Sequence, residues 1–131
     1  MARLVLFAIL LATVVAASWI PLAQCAETVT CYNSGRKFDR AKIISAINSF
    51  CTNTINLSDG QKVEREFRFP YPETGHIDIS AEARCSISVS PNECNRLLRR
   101  PTDECNTGGE NGKQGGFVED NCKKFKMDPN A

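Results

Sequence analysis

His76 is the only histidine in the chain, and it begins a run in which Asp78, Glu82 and Arg84 follow at even spacing. On an extended backbone such residues share one face, and Glu64, Glu66 and Arg68 from the preceding run lie alongside. A histidine, a carboxylate and an arginine on one face supply acid, base and phosphate clamp for phosphodiester cleavage. The competing explanation is a solvated sheet face carrying ordinary cross-strand ion pairs. A single histidine without a second acid–base partner favours that explanation. A secreted ribonuclease-like toxin using His76, Glu82 and Arg84 is therefore the alternative reading, and catalytic residues are not the leading expectation.

The second reactive set is sulfur. The chain has seven cysteines, and Cys25 sits at the end of a segment with the pattern of an export signal: Arg3 in a short basic head, an apolar run from Leu4 to Ile20, then Ala23-Gln24-Cys25 with small residues at the last and third-last positions. Cleavage after Cys25 leaves Cys31, Cys51, Cys85, Cys94, Cys105 and Cys122, an even set that predicts three bridges in an oxidising compartment. Cleavage after Ala17 or Ser18 would leave an odd thiol. A membrane anchor is disfavoured because the 17-residue apolar run is at the short end of spanning lengths and Pro21 follows it. A bacterial lipoprotein is disfavoured because Gln24 is bulky in the otherwise lipidation-like Leu22-Ala23-Gln24-Cys25. Residues 1–25 are thus read as a signal peptide and residues 26–131 as one secreted cysteine-rich domain.

Without Arg3 the domain carries 15 basic and 15 acidic residues, so no global field draws it to nucleic acid or to an anionic membrane. Neither a nucleic-acid partner nor membrane insertion is expected. The glycine-rich stretch from Gly108 to Gln114 has only a superficial likeness to a phosphate loop: its spacing is one residue short and Gln114 stands where a metal-binding hydroxyl is needed. Asn106, Asn111, Lys113 and Gln114 instead offer donors and acceptors on a backbone that permits close approach, as sugar-hydroxyl recognition requires. Tyr32, Tyr71 and Phe117 are the aromatic groups left outside the expected core. Asn56-Leu57-Ser58 is an N-glycosylation acceptor, placed in the loop after the first helix. Arg99-Arg100, blocked from processing by Pro101, reads as the exposed end of a helix. With the cysteines oxidised, no Cys/His cluster has metal spacing and no Ser/His/Asp set arises, so neither metal nor cofactor is expected.

These groups need elements to hold them. Ile77 to Val89 alternates with polar residues and predicts one long strand, while Val63, Phe67 and Phe69 predict an edge strand joined to it through Pro70 to Gly75. Asp39 caps a helix whose stripe is Ile43, Ile47, Phe50 and Cys51, with Phe38 as a staple. Ser90-Pro91-Asn92-Glu93 starts a second helix with a capping box; Cys94, Leu97 and Leu98 form its stripe, and Pro101 ends or kinks it. Thr28 to Tyr32 and Asn121 to Met127 complete the set as short strands.

The resulting order, strand-helix-strand-strand-helix-strand, predicts an α+β fold: a disulfide-stabilised two-layer α/β sandwich of split βαβ type with the first and third strands central. Sequence alone leaves the cysteine pairing open. Parallel helices would bring Cys51 near Cys105 and Cys85 near Cys94, which makes a bridge within each set a candidate.

Cys31-Tyr32-Asn33-Ser34-Gly35, the segment Ala41 to Cys51, Cys85, Cys94 to Cys105 with the following Gly-Gly, and Asp128-Pro129-Asn130 together resemble small secreted fungal lectin-like glycan-binding proteins, similar in outline to killer-toxin-type α/β sandwiches. The resemblance covers nearly all of residues 26–131 and rests on cysteine and glycine placement. It implies a compact, disulfide-tied α/β sandwich that binds glycans. The stapled scaffold, its loops rich in Asn, Gly and Tyr, and the lack of a catalytic set lead to the expectation of a secreted, non-enzymatic module whose partner is a glycan or another cell-surface ligand, acting as an effector or toxin. It carries no glycan-contact motif onto particular residues. A pore-forming toxin is a third class, weakened by neutral charge and the lack of a basic amphipathic helix.

Overall fold

The computed structural model describes residues 26–70, 75–105 and 112–130. The expected signal segment, the tip of the proline-set hairpin loop and most of the glycine-rich stretch lie outside them. The elements are β1 (Thr28–Cys31), α1 (Arg40–Phe50), β2 (Ile55–Leu57), β3 (Lys62–Phe69), β4 (Gly75–Ala83), β5 (Ile87–Val89), α2 (Pro91–Glu104), β6 (Gly116–Glu119) and β7 (Lys123–Asn130).

Both helices start where the side chains dictate. Asp39 accepts a hydrogen bond from the Ala41 N–H at 3.1 Å, and α1 then buries Ile43, Ala46, Ile47 and Phe50. Ser90 accepts from the Glu93 N–H at 3.3 Å, with Pro91 at the first helical position. The capping box is only half made, because the Glu93 carboxylate turns to Arg96 at 2.6 Å instead of back to the cap. Pro101 does not end α2. It is buried inside the helix, which runs on to Glu104. The last turn is held by Thr102 donating to the Leu98 carbonyl at 3.0 Å and by the Arg100–Glu104 pair at 2.7 Å. Arg99 and Arg100 are accordingly half-buried within the helix, not its exposed end.

The helices run antiparallel, contrary to expectation. Arg40 at the start of α1 pairs with Asp103 near the end of α2 at 2.7 Å, Asn48 accepts from Arg99 at 3.3 Å, and Cys51 just beyond α1 is bonded to Cys94 in the first turn of α2. This direction overturns the two candidate pairings: the bridges are Cys31–Cys105, Cys51–Cys94 and Cys85–Cys122, with Cα separations of 5.4, 5.6 and 5.0 Å. All six of the expected cysteines are used.

Five strands form an antiparallel sheet in the order β1-β6-β7-β4-β3. β3 is an edge strand, as its charges and Pro70 suggested. β1 is the opposite edge and not a central strand, because β6 inserts between it and β7. The long strand expected from Ile77 to Val89 is two strands. The chain turns at Cys85, where the Arg84 N–H donates to the Cys122 carbonyl at 2.7 Å and the disulfide fixes the bend. β5 leaves the large sheet and pairs antiparallel with β2. One face of the sheet presents Ile77, Ile79, Ala81, Val118, Phe125 and Met127, which join the helix stripes and Phe38 in a single buried cluster.

Candidate functional site

The other face of the five-stranded sheet holds the groups from which a site can be built. Period-two alternation turns every second residue of each strand outward, and the cross-strand register then sets them in rows. One row runs Glu66, Asp78, Asp128; the next runs Glu64, Ser80, Lys126, Phe117, Thr30; a third runs Lys62, Glu82, Lys124, Glu119, Thr28. Phe67 and Phe69 on β3 and Phe125 and Met127 on β7 turn inward and anchor these rows to the core.

At the β1–β6 side the face is aromatic. The Tyr32 and Phe117 rings lie 6.3 Å apart and tilted, and the Lys124 ammonium sits 3.7 Å from the Phe117 ring centre. Burial, with help from the Asp128 carboxylate, pushes the Tyr32 phenol up to about 12, so it stays a neutral donor at physiological pH. Tyr32 is placed there by its own backbone, whose N–H donates to the Gly115 carbonyl at 3.1 Å. Lys126 pairs with Asp128 at 3.3 Å just beside the rings.

At the β3–β4 side the face is ionic. Arg68 pairs with Glu66, His76 Nε2 lies 3.7 Å from Asp78 Oδ2, and one ligand atom each from Glu66, His76 and Asp78 falls within 4.8 Å of the others. The catalytic set drawn from the sequence is not assembled. Glu82 is six residues along β4 from His76, a distance of roughly 20 Å at ~3.3 Å per residue. Arg84 is engaged with Glu119 at 2.8 Å.

The residues singled out for ligand binding fall in different places. Tyr32 stands on the open face with Phe117. Gln114 donates to the Gly35 carbonyl at 3.3 Å, which ties the end of the glycine-rich stretch to the segment before α1. Lys113 is 5% exposed and bridges Phe38 backbone to backbone, so its expected role of presenting a donor to solvent is not what its placement offers. Tyr71, Asn106 and Asn111 lie outside the described residues. Asn56 is exposed, but on β2 and not in a loop. It borders an open groove of about 270 Å³ that Phe50, Asn53, Thr54, Leu57 and Arg65 also line. Sequence reasoning placed Phe117 among the aromatic candidates but had no signal that Tyr32 would meet it. That meeting depends on pairing across 85 residues, fixed by the Thr30–Phe117 register.

The face can offer an apolar ring surface flanked by fixed donors and acceptors, the combination that suits a sugar with its C–H face and its hydroxyl rim. In comparison with protein-family models and with curated proteins, the chain matches none.

Proposed function

We propose that the protein is a secreted, non-enzymatic recognition module that binds carbohydrate on the open face of its sheet. The observation that carries this reading is the Tyr32–Phe117 ring pair standing beside Lys126 and Asp128, with Lys124 over one ring. A sugar stacked on the Tyr32 ring places its hydroxyls against an ammonium and a carboxylate that are already oriented by each other. The neutral Tyr32 hydroxyl adds one more donor at the same place.

The scaffold supports the same reading. Three disulfides are typical of extracellular proteins. The sequence before Ala26 has the pattern of an export signal, with the mature domain beginning there. The finer description is a two-layer α/β sandwich in which both helices cover one sheet face and leave the other for a ligand. A glycan on a cell surface is the partner class, and an effector or toxin is the role that a small stapled recognition domain would serve.

A glycan array probed with purified, oxidised protein tests this directly. Binding to a defined sugar class is expected, with Tyr32→Ala weakening it at least about tenfold, the loss of roughly 1.4 kcal/mol. Thermal unfolding of that variant should remain close to the parent's, since Tyr32 is only half-buried. A blank array combined with RNA cleavage by the same preparation would reverse the reading.

A further inference from the structure

We infer that β3 and β4 carry a divalent metal site, of the zinc class, formed by Glu66, His76 and Asp78. His76 and Asp78 are two residues apart on one strand and so project from the same face, and Glu66 is the direct cross-strand partner of Asp78. Three ligands from two neighbouring strands therefore converge without any loop. His76 Nε2 and Asp78 Oδ2 are 3.7 Å apart, and all three ligand atoms lie within 4.8 Å of one another. Donors around a tetrahedral zinc ion sit roughly 3.4 Å apart, given metal–ligand distances of ~2.1 Å. Glu66 is exposed and His76 and Asp78 are half-buried, so their side chains have room to adjust toward that spacing.

The donor set is an imidazole and two carboxylates, which suits a borderline ion such as Zn²⁺ better than Ca²⁺ or Mg²⁺, whose preference is for oxygen alone. A tetrahedral ion held by these three side chains keeps one open position for water or an external ligand. The local charge pattern points the same way. Glu66, Asp78 and Asp128 occupy one cross-strand row, and like charges directly opposite each other destabilise a sheet. A divalent ion relieves that repulsion at its centre. Arg68 acts on Glu66 and Lys126 on Asp128. Arg68 is 83% exposed in its side chain, so moving it off Glu66 forfeits little. Lys126 stays on Asp128, outside the three ligands. This site is separate from the ring pair and does not depend on the carbohydrate reading.

Calorimetric titration of ZnCl₂ into tag-free, oxidised protein, with amide chemical shifts followed in parallel, tests the assignment. One saturable Zn²⁺ per chain is expected, with shifts centred on Glu66, His76 and Asp78. His76→Ala and the nearly isosteric Asp78→Asn should each weaken binding at least tenfold, while Glu82→Gln, farther along the same strand, leaves it unchanged. The amide spectrum without metal shows whether each variant is folded. Absence of saturable one-to-one binding, or binding that folded His76→Ala and Asp78→Asn proteins retain at parental strength, overturns the assignment.

Discussion

Asp120 shows how much one residue can organise in this molecule. It sits in the turn between β6 and β7 with a side chain only 5% exposed. One carboxylate oxygen accepts from the N–H groups of Cys122 and Lys123 at 2.7 and 2.9 Å, and the other takes the Lys123 ammonium at 2.5 Å. Burial pushes its carboxyl up, but these hydrogen bonds outweigh burial and hold it below the usual carboxylate range. Glu27 behaves alike: hydrogen bonds from Arg96 chiefly, opposed by burial and aided by Arg100 and Lys123, keep it low. A carboxyl whose folded value is depressed takes up its proton more readily in the unfolded chain. Its stabilisation is therefore full above the unfolded value, ~4, and disappears as the pH falls through the lower folded value. Acid should thus erode stability below about pH 4, the range in which these two groups protonate. Asp120→Ala removes an acceptor from two backbone donors next to the Cys85–Cys122 bridge and should cost about 1–3 kcal/mol in denaturant unfolding at pH 7. Asp120→Asn keeps an oxygen for the N–H groups and loses the charge, so it should cost less. The gap between parent and either variant should narrow in unfolding measured below pH 3.

At the scale of elements, the placement of β6 decides the site, and a glycine makes it possible. A Cβ built on Gly116 would lie 2.1 Å from the Thr30 carbonyl oxygen, a backbone atom of β1 that has no flexible end to swing away. Gly116→Ala must therefore push β1 off the sheet edge, carrying Tyr32 away from Phe117. A penalty at the upper end of the ~1–3 kcal/mol typical of overpacking is expected. The Gly60→Ala control meets no atom within 4 Å and bears only the strain of its positive φ, about 1–2 kcal/mol. Thermal melts of the two variants should rank them in that order, and only Gly116→Ala should shift the Tyr32 and Phe117 ring resonances. The same strand explains where the sequence stopped being readable. Both helix starts, the β3–β4 hairpin and the inward Phe125 and Met127 were legible, because caps and alternation act within a few residues. β6 has no counterpart among the expected elements, since four residues with a glycine at the head have no strand signature of their own; they are extended because β1 and β7 pair with them on either side. Alternation continues through Cys85 and predicts β4 and β5 as one strand, and only the distant partner Cys122 reveals the bend. The wet face with His76 and Asp78 was visible in the alternation. The ring pair and the convergence of Glu66 on Asp78 were not, because each depends on long-range register.

The disulfides do more than count as pairs: they join distant parts of the fold that long-range pairing alone would have to find. Cys31–Cys105 ties the β1 edge to the end of α2, Cys51–Cys94 locks the antiparallel helices at one end, and Cys85–Cys122 fastens the end of β4 to the β6–β7 turn. Their sequence separations of 74, 43 and 37 residues are long. Loop-closure entropy puts each at roughly 4 kcal/mol of constraint on the unfolded chain, although strain and residual structure reduce what is measured. A domain of this size has a net stability of only about 5–15 kcal/mol, so the three constraints together are of the same size as the whole. Reduction should therefore remove the cooperative thermal transition and the slowly exchanging amides of β4 and β7, and with them any binding by the open face. Peptide mapping without reductant should recover the three linkages named above, and thiol titration of the native protein should find none of those six sulfurs free. A native molecule that keeps its transition in reductant, or that yields free thiols among the six, would mean that the core alone holds the sheet. An extracellular, stapled recognition face would then lose its basis, since the same rings and charges would sit on a scaffold with no need of an oxidising compartment.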